Sequence, residues 1–114
     1  RIGETFRDWG IPTVLALLEV RDSPLPVIAT GGVRNGLHAA KALALGASIV
    51  GIGAPAIRAA KDGPGAVVDE LSLIIEELRV SMMLIGCQEI TELRSVQVIL
   101  SGHAKEWASS RRIS

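Results

Sequence analysis

The chain has 114 residues, with 12 Lys and Arg balanced by 12 Asp and Glu, so it carries no formal net charge and lacks the basic excess of a nucleic-acid partner. Hydrophobic residues make up 48% and aromatic residues 3%, enough for a packed core, yet no apolar run reaches the roughly 18 residues of a membrane span and no signal peptide is recognisable. A single cysteine, Cys87, excludes an internal disulfide, fits a reducing cytoplasm and, with no His or Asp context, is expected to be buried and inert.

Taken in chain order, residues 11–20 read as a helix with Pro12 in its first turn, and residues 21–26 as a Pro-containing linker that stops it. Residues 27–36, Val-Ile-Ala-Thr-Gly-Gly-Val-Arg-Asn-Gly, follow as a strand running into a glycine turn. A helix over 37–47 comes next, with Gly46 at its C′ position and a small-residue face of Leu37, Ala40 and Ala44 expected to lie on a sheet. A second strand over 48–53 ends in Gly53, and Ala54-Pro55 leads into a short helix over 56–61. Residues 62–65 read as a loop. Val67, Leu71, Ile74, Leu78, Met82 and Ile85 then recur at helical spacing, predicting a long outer-layer helix in which Met82 and Met83 are packing residues. Residues 96–100 suit a short strand or extended segment, and 103–107 a terminal helix capped by Ser101 or Gly102.

The two strand–turn units carry the chemistry. Gly31 and Gly32 lack a Cβ, so the backbone can turn sharply and approach a ligand oxygen closely, and Arg34 adds a charge-assisted contact. Gly53 and Ala54 repeat the arrangement after the second strand, with Pro55 where the short helix begins. Two sets of backbone N–H groups at one rim of a parallel sheet suit a phosphate, as in (β/α)8 barrels. The alternative is that both turns are only tight strand–helix connections. Gln88 and Glu89 follow a helix C-terminus and are expected to be solvated loop residues; His38 is expected on an exposed helix face and His103 at the surface or in a cap. Two parallel strands cannot close a barrel and leave their neighbours unprovided, so the missing strands are expected from sequence outside this stretch or from another chain.

Residues 6–13 (Phe-Arg-Asp-Trp-Gly-Ile-Pro-Thr), the Gly-Gly-Val-Arg-Asn-Gly turn (31–36), Lys-Ala-Leu-Ala-Leu-Gly-Ala (41–47), Met-Met-Leu-Ile-Gly (82–86) and Lys-Glu-Trp (105–107) together resemble type 2 isopentenyl-diphosphate delta-isomerase. The turn and the 41–47 helix are shared with other FMN and phosphate barrels, including IMP dehydrogenase and the 2-hydroxy-acid oxidases; residues 8–13 discriminate. The resemblance covers nearly the whole chain but only about the last third of a family member. It implies the C-terminal part of a single FMN-binding (β/α)8 TIM-barrel domain spanning 1–114, about its last quarter plus a C-terminal extension.

The resemblance further implies an isomerase that interconverts isopentenyl and dimethylallyl diphosphate with reduced FMN, dependent on Mg2+ and on NADPH for the reduction. The family commonly forms homotetramers. Its FMN-phosphate contacts fall on Gly32, Val33, Arg34, Gly53 and Ala54, with Gly31 adjacent. Its substrate-binding glutamine and metal-binding glutamate come from earlier strands, so no catalytic or metal residue is expected here. The sequence departs from the family at His38, where an acidic residue is frequent, at Ala16, where serine is common, and at Ala29. Two other readings stand beside this one: an FMN- or nucleotide-dependent oxidoreductase, and a non-catalytic barrel remnant.

Overall fold

The computed structural model describes residues 1–113. Helix α1 (Ile2–Thr5) is a single turn and α2 spans Thr13–Val20. Strand β1 (Ile28–Ala29) leads to α3 (Gly36–Ala44), and β2 (Ile49–Val50) to α4 (Ala54–Ala60) and the long α5 (Pro64–Leu84). A 3-10 helix (Ile90–Ser95) and α6 (Gly102–Ser110) complete the order. Strands β1 and β2 pair in parallel, Ile28 opposite Ile49 and Ala29 opposite Val50, joined by α3 as a crossover. Ser48 sets the register: its N–H donates to the Val27 carbonyl at 2.8 Å, and the Val27 N–H donates to its hydroxyl at 3.3 Å.

The sheet has unlike faces. Ala29 is buried against Leu15 and Leu18 of α2 and Ala42 of α3, with Val50 packed beside them. On the opposite face Ile28 and Ile49 are 63% and 58% exposed. Parallel strands are ordinarily covered on both sides, so this face is half of a sandwich without its other half. A second cluster joins Leu43 of α3 to Met82 of α5 and Leu93 of the 3-10 helix. The radius of gyration, 15.6 Å, exceeds the about 13 Å expected of a compact domain of this length.

Several boundaries and faces differ from expectation. Helix α2 starts at Thr13, with Pro12 as its N-cap at ψ 144°, because the proline's extended backbone leaves only the following residues free to wind. Helix α4 starts at Ala54, two residues early, and α5 at Pro64 rather than Val67: prolines in the first turn of each start the helix and carry no N–H that would be wasted there. The Leu37–Ala40–Ala44 stripe does not lie on the sheet. Ala42 meets the β1 side and Leu43 the α5 side, while Leu37 is exposed, because α3 is wedged between sheet and α5 and buries both flanks.

On α5 only Ile74 and Met82 are buried; Leu71, Met83 and Ile85 are exposed, so Met83 is not a packing residue of this chain. Cys87 is half-buried at the edge of the second cluster, where a short turn leaves it partly open. Residues 96–100 form no regular element and pair with no strand among the described residues, although Val96 itself is extended. Helix α6 is longer than expected, and Ser101 occupies its N-cap without a capping bond from its hydroxyl. The 3-10 helix was not foreseen, although Glu89 and Glu92 form a reciprocal capping box at its start, an acidic i, i+3 spacing legible in the sequence.

Candidate functional site

The first strand–turn unit opens on a cavity of about 700 Å³ lined by Arg7, Thr13, Gly31, Gly32, Arg34, His38 and Lys41, among others. Gly31 and Gly32 adopt φ of +86° and +72°, a left-handed pair that residues with a Cβ rarely follow. A Cβ built on either glycine would approach nothing nearer than Thr13 Oγ1, at 3.6 and 4.0 Å, so the space beside the turn is open. The turn is pinned from below by Thr13, whose hydroxyl donates to the Gly31 carbonyl at 2.7 Å. With that carbonyl held, the N–H groups of Gly31, Gly32 and Val33 donate to no protein acceptor among the described residues. Successive unengaged N–H groups form a concavity suited to an anion.

The charges agree with the backbone. The named lining residues include three cations, Arg7, Arg34 and Lys41, and no carboxylate lines the cavity. Arg34 is exposed and forms no ion pair among the described residues. Two side chains close over the start of α3: Glu77 of α5 accepts the Gly36 N–H at 2.7 Å, and Asn35 Oδ1 accepts the His38 N–H at 2.8 Å. Side chains thereby take the N–H groups of Gly36 and His38 at the start of α3, whereas those of the Gly-Gly turn have no such partner among the described residues.

Parallel pairing puts the second turn after the same end of the sheet, and the Gly51 N–H donates to the Ala29 carbonyl at 2.7 Å where β1 ends. Gly53 is the exposed N-cap of α4, without a side-chain cap, and Ala54 is exposed as the first residue of that helix. Neither lines the cavity around Arg34. The structure therefore gathers Gly31, Gly32, Val33 and Arg34 into one cavity and leaves Gly53 and Ala54 outside its wall.

Of the polar side chains lining the cavity, those of Arg7, Thr13, His38 and Lys41 were not foreseen from the sequence. Thr13 acts across 18 positions of sequence, a contact that depends on how α2 docks. His38, expected to be exposed, is half-buried, and its Nδ1 accepts the Arg34 N–H at 3.3 Å. It sits one turn into α3, so its ring folds back over the helix start instead of outward. Gln88 and Glu89 are exposed, the latter as a cap, and His103 is exposed with its ring edge-on to Trp107 at 6.2 Å. Among the described residues no charged or polar side chain is buried, and no three His, Cys, Asp or Glu side chains group as for a metal ion. No helix is long and apolar enough to cross a membrane.

The chain is 44% identical over 111 residues to an isopentenyl-diphosphate delta-isomerase of Methanothermobacter thermautotrophicus, covering 96% of this chain and 32% of the relative. It is 45% identical over 111 residues to the protein of that name from Methanosarcina mazei, covering 97% and 30%. With the protein of that name from Halobacterium salinarum it shares 43% over 114 residues, covering 100% and 32%. The chain thus spans about a third of the length of the curated relatives it matches. Residues 7–99, which include every residue lining the cavity and both strands, match the FMN-dependent dehydrogenase family, and the chain belongs to that family.

Proposed function

We propose that this chain is the FMN-phosphate part of an isopentenyl-diphosphate delta-isomerase whose remaining strands lie outside it. The observation that carries the reading is the left-handed Gly31–Gly32 pair opening with Arg34 onto a cavity free of carboxylates. The residues fit a phosphate: the N–H groups of Gly32 and Val33, with Gly31 beside them, would donate to its oxygens, and the Arg34 guanidinium would neutralise it. Gly53 and Ala54 would contribute N–H groups from the neighbouring turn at the same sheet end. Thr13 keeps the Gly31 carbonyl turned away from the anion. Reduced FMN, when bound, supplies proton transfer to and from the isoprenoid double bond without net redox change.

The exposed Ile28–Ile49 face is the inner face of a (β/α)8 barrel in this reading, covered by side chains from the other strands. Acid, base and Mg2+ ligands belong to those strands, and NADPH serves only to reduce the flavin. A homotetrameric cytoplasmic enzyme acting on a small diphosphate completes the proposal. The family match supports a second reading, an FMN-dependent oxidoreductase. The test uses the full-length protein with FMN, NADPH, Mg2+ and isopentenyl diphosphate under anaerobic conditions. Dimethylallyl diphosphate should accumulate through many turnovers while NADPH is consumed only in the amount needed to reduce the flavin. NADPH oxidised in step with product, or oxidation of a 2-hydroxy acid, would establish the second reading instead.

A further inference from the structure

The cavity holds one polar ring with no part in the phosphate contacts just described. His38 stands at the third position of α3, and its backbone N–H is taken by Asn35 Oδ1 at 2.8 Å. Its ring reaches back past the N-cap and accepts the Arg34 N–H through Nδ1 at 3.3 Å. A reciprocal cap ordinarily returns a side-chain acceptor to the N-cap residue itself. Here the acceptor is shifted one residue outward, onto Arg34. That N–H belongs to the last residue of the Gly31–Arg34 turn, and the bond removes the rotation by which the peptide between Val33 and Arg34 could swing. The Arg34 backbone is thereby fixed from one side by the ring, and the Gly31 carbonyl is fixed from the other by Thr13.

We propose that His38 is a positioning residue of the anion cavity: its neutral ring, accepting at Nδ1, holds the exit of the glycine turn so that the Val33 N–H and the Arg34 side chain converge on the phosphate. The inference rests on the FMN-phosphate reading of that cavity. In this role the imidazole carries its proton on Nε2, leaving Nδ1 as acceptor. Asparagine places Oδ1 about where Nδ1 stands and so preserves the acceptor; alanine removes it.

The experiment titrates flavin-free full-length protein with FMN and with riboflavin, following flavin fluorescence at mildly alkaline pH, for wild type, His38→Ala and His38→Asn. His38→Ala should weaken FMN about fivefold, the scale of one net hydrogen bond, and leave riboflavin within about twofold. His38→Asn should restore FMN to within about twofold of wild type. Equal weakening of both flavins by His38→Ala, an unchanged FMN affinity, or failure of His38→Asn to restore it would each overturn the positioning role. A wild type that binds FMN no better than riboflavin would overturn the phosphate reading itself, which separates the two failures.

Discussion

At Gly32 the demand for glycine comes from the backbone and not from crowding: a Cβ would lie 4.0 Å from its nearest neighbour, but φ is +72°. A β-branched side chain is strained in that region and would also cover the surface an anion approaches. Gly32→Val should therefore reduce FMN affinity by more than about a hundredfold, beyond the effect of losing one charge-assisted bond, as read by flavin titration of the full-length protein. The opposite expectation holds for Gln88 and Glu89, which are exposed at the foot of the 3-10 helix. Their joint change to alanine should leave turnover and Mg2+ dependence within about twofold, costing only a cap of about 1 kcal/mol; a general acid or base there would show a loss of about a hundredfold or more. The glycine pair and Arg34 were legible because glycine and arginine carry their chemistry locally. Thr13 and His38 were not, since a hydroxyl or an imidazole acquires its role only from the atom that tertiary folding brings to it.

Helix α3 is fixed at its start by a close crossing with α5. A Cβ on Gly36 would fall 2.3 Å from both the Ile74 carbonyl oxygen and the Leu78 nitrogen, which are backbone atoms and do not rotate away. Gly36→Ala should therefore separate the helices, loosen the Glu77 bond to the Gly36 N–H and destabilise the full-length protein by about 3 kcal/mol in denaturant titration. Strand, glycine turn and helix signals gave the order of elements from α2 to α5. Of the six apolar positions at helical spacing from Val67 to Ile85, however, only Ile74 and Met82 are buried, because the rest of that stripe is at most partly covered among the described residues. Periodicity alone did not tell which α3 stripe meets the sheet, because that helix packs on two sides.

Helices α2 and α6 meet through Glu19, whose Oε1 accepts from Arg111 Nε at 2.7 Å and from Trp107 Nε1 at 2.9 Å. The Arg111 hydrogen bond, and secondly that of Trp107, hold the Glu19 carboxyl below its ordinary value of 4.5. A depressed carboxyl stabilises the folded form fully above its unfolded value and loses that contribution as pH falls through the lower folded value. Acidification to below the ordinary carboxylate range should thus loosen α6 and shift Trp107 emission to the red in a Trp9→Phe background, and Glu19→Gln should flatten that response. An identical acid response in both would assign the shift to other carboxylates.

On the scale of the whole molecule, the exposed Ile28 and Ile49 face and the two-residue strands leave unpaired edges and apolar surface. Residues 1–114 alone should consequently self-associate or lack a cooperative transition, tested by sedimentation and thermal unfolding; a sharp monomeric transition would contradict the half-covered sheet. That two parallel strands need further neighbours was readable from the sequence, and the uncovered Ile28–Ile49 face is the surface such neighbours would meet. How the second turn stands toward the first was not readable, because Gly53 and Ala54 depend on the docking of α4. The most direct measurement of the central claim is the affinity of flavin-free full-length protein for FMN and riboflavin in wild type and Arg34→Ala. Loss of one charge-assisted hydrogen bond of about 1.5–3 kcal/mol should weaken FMN about ten- to a hundredfold while riboflavin changes far less. Equal losses for the two flavins would show that Arg34 serves the fold and that the phosphate site lies elsewhere.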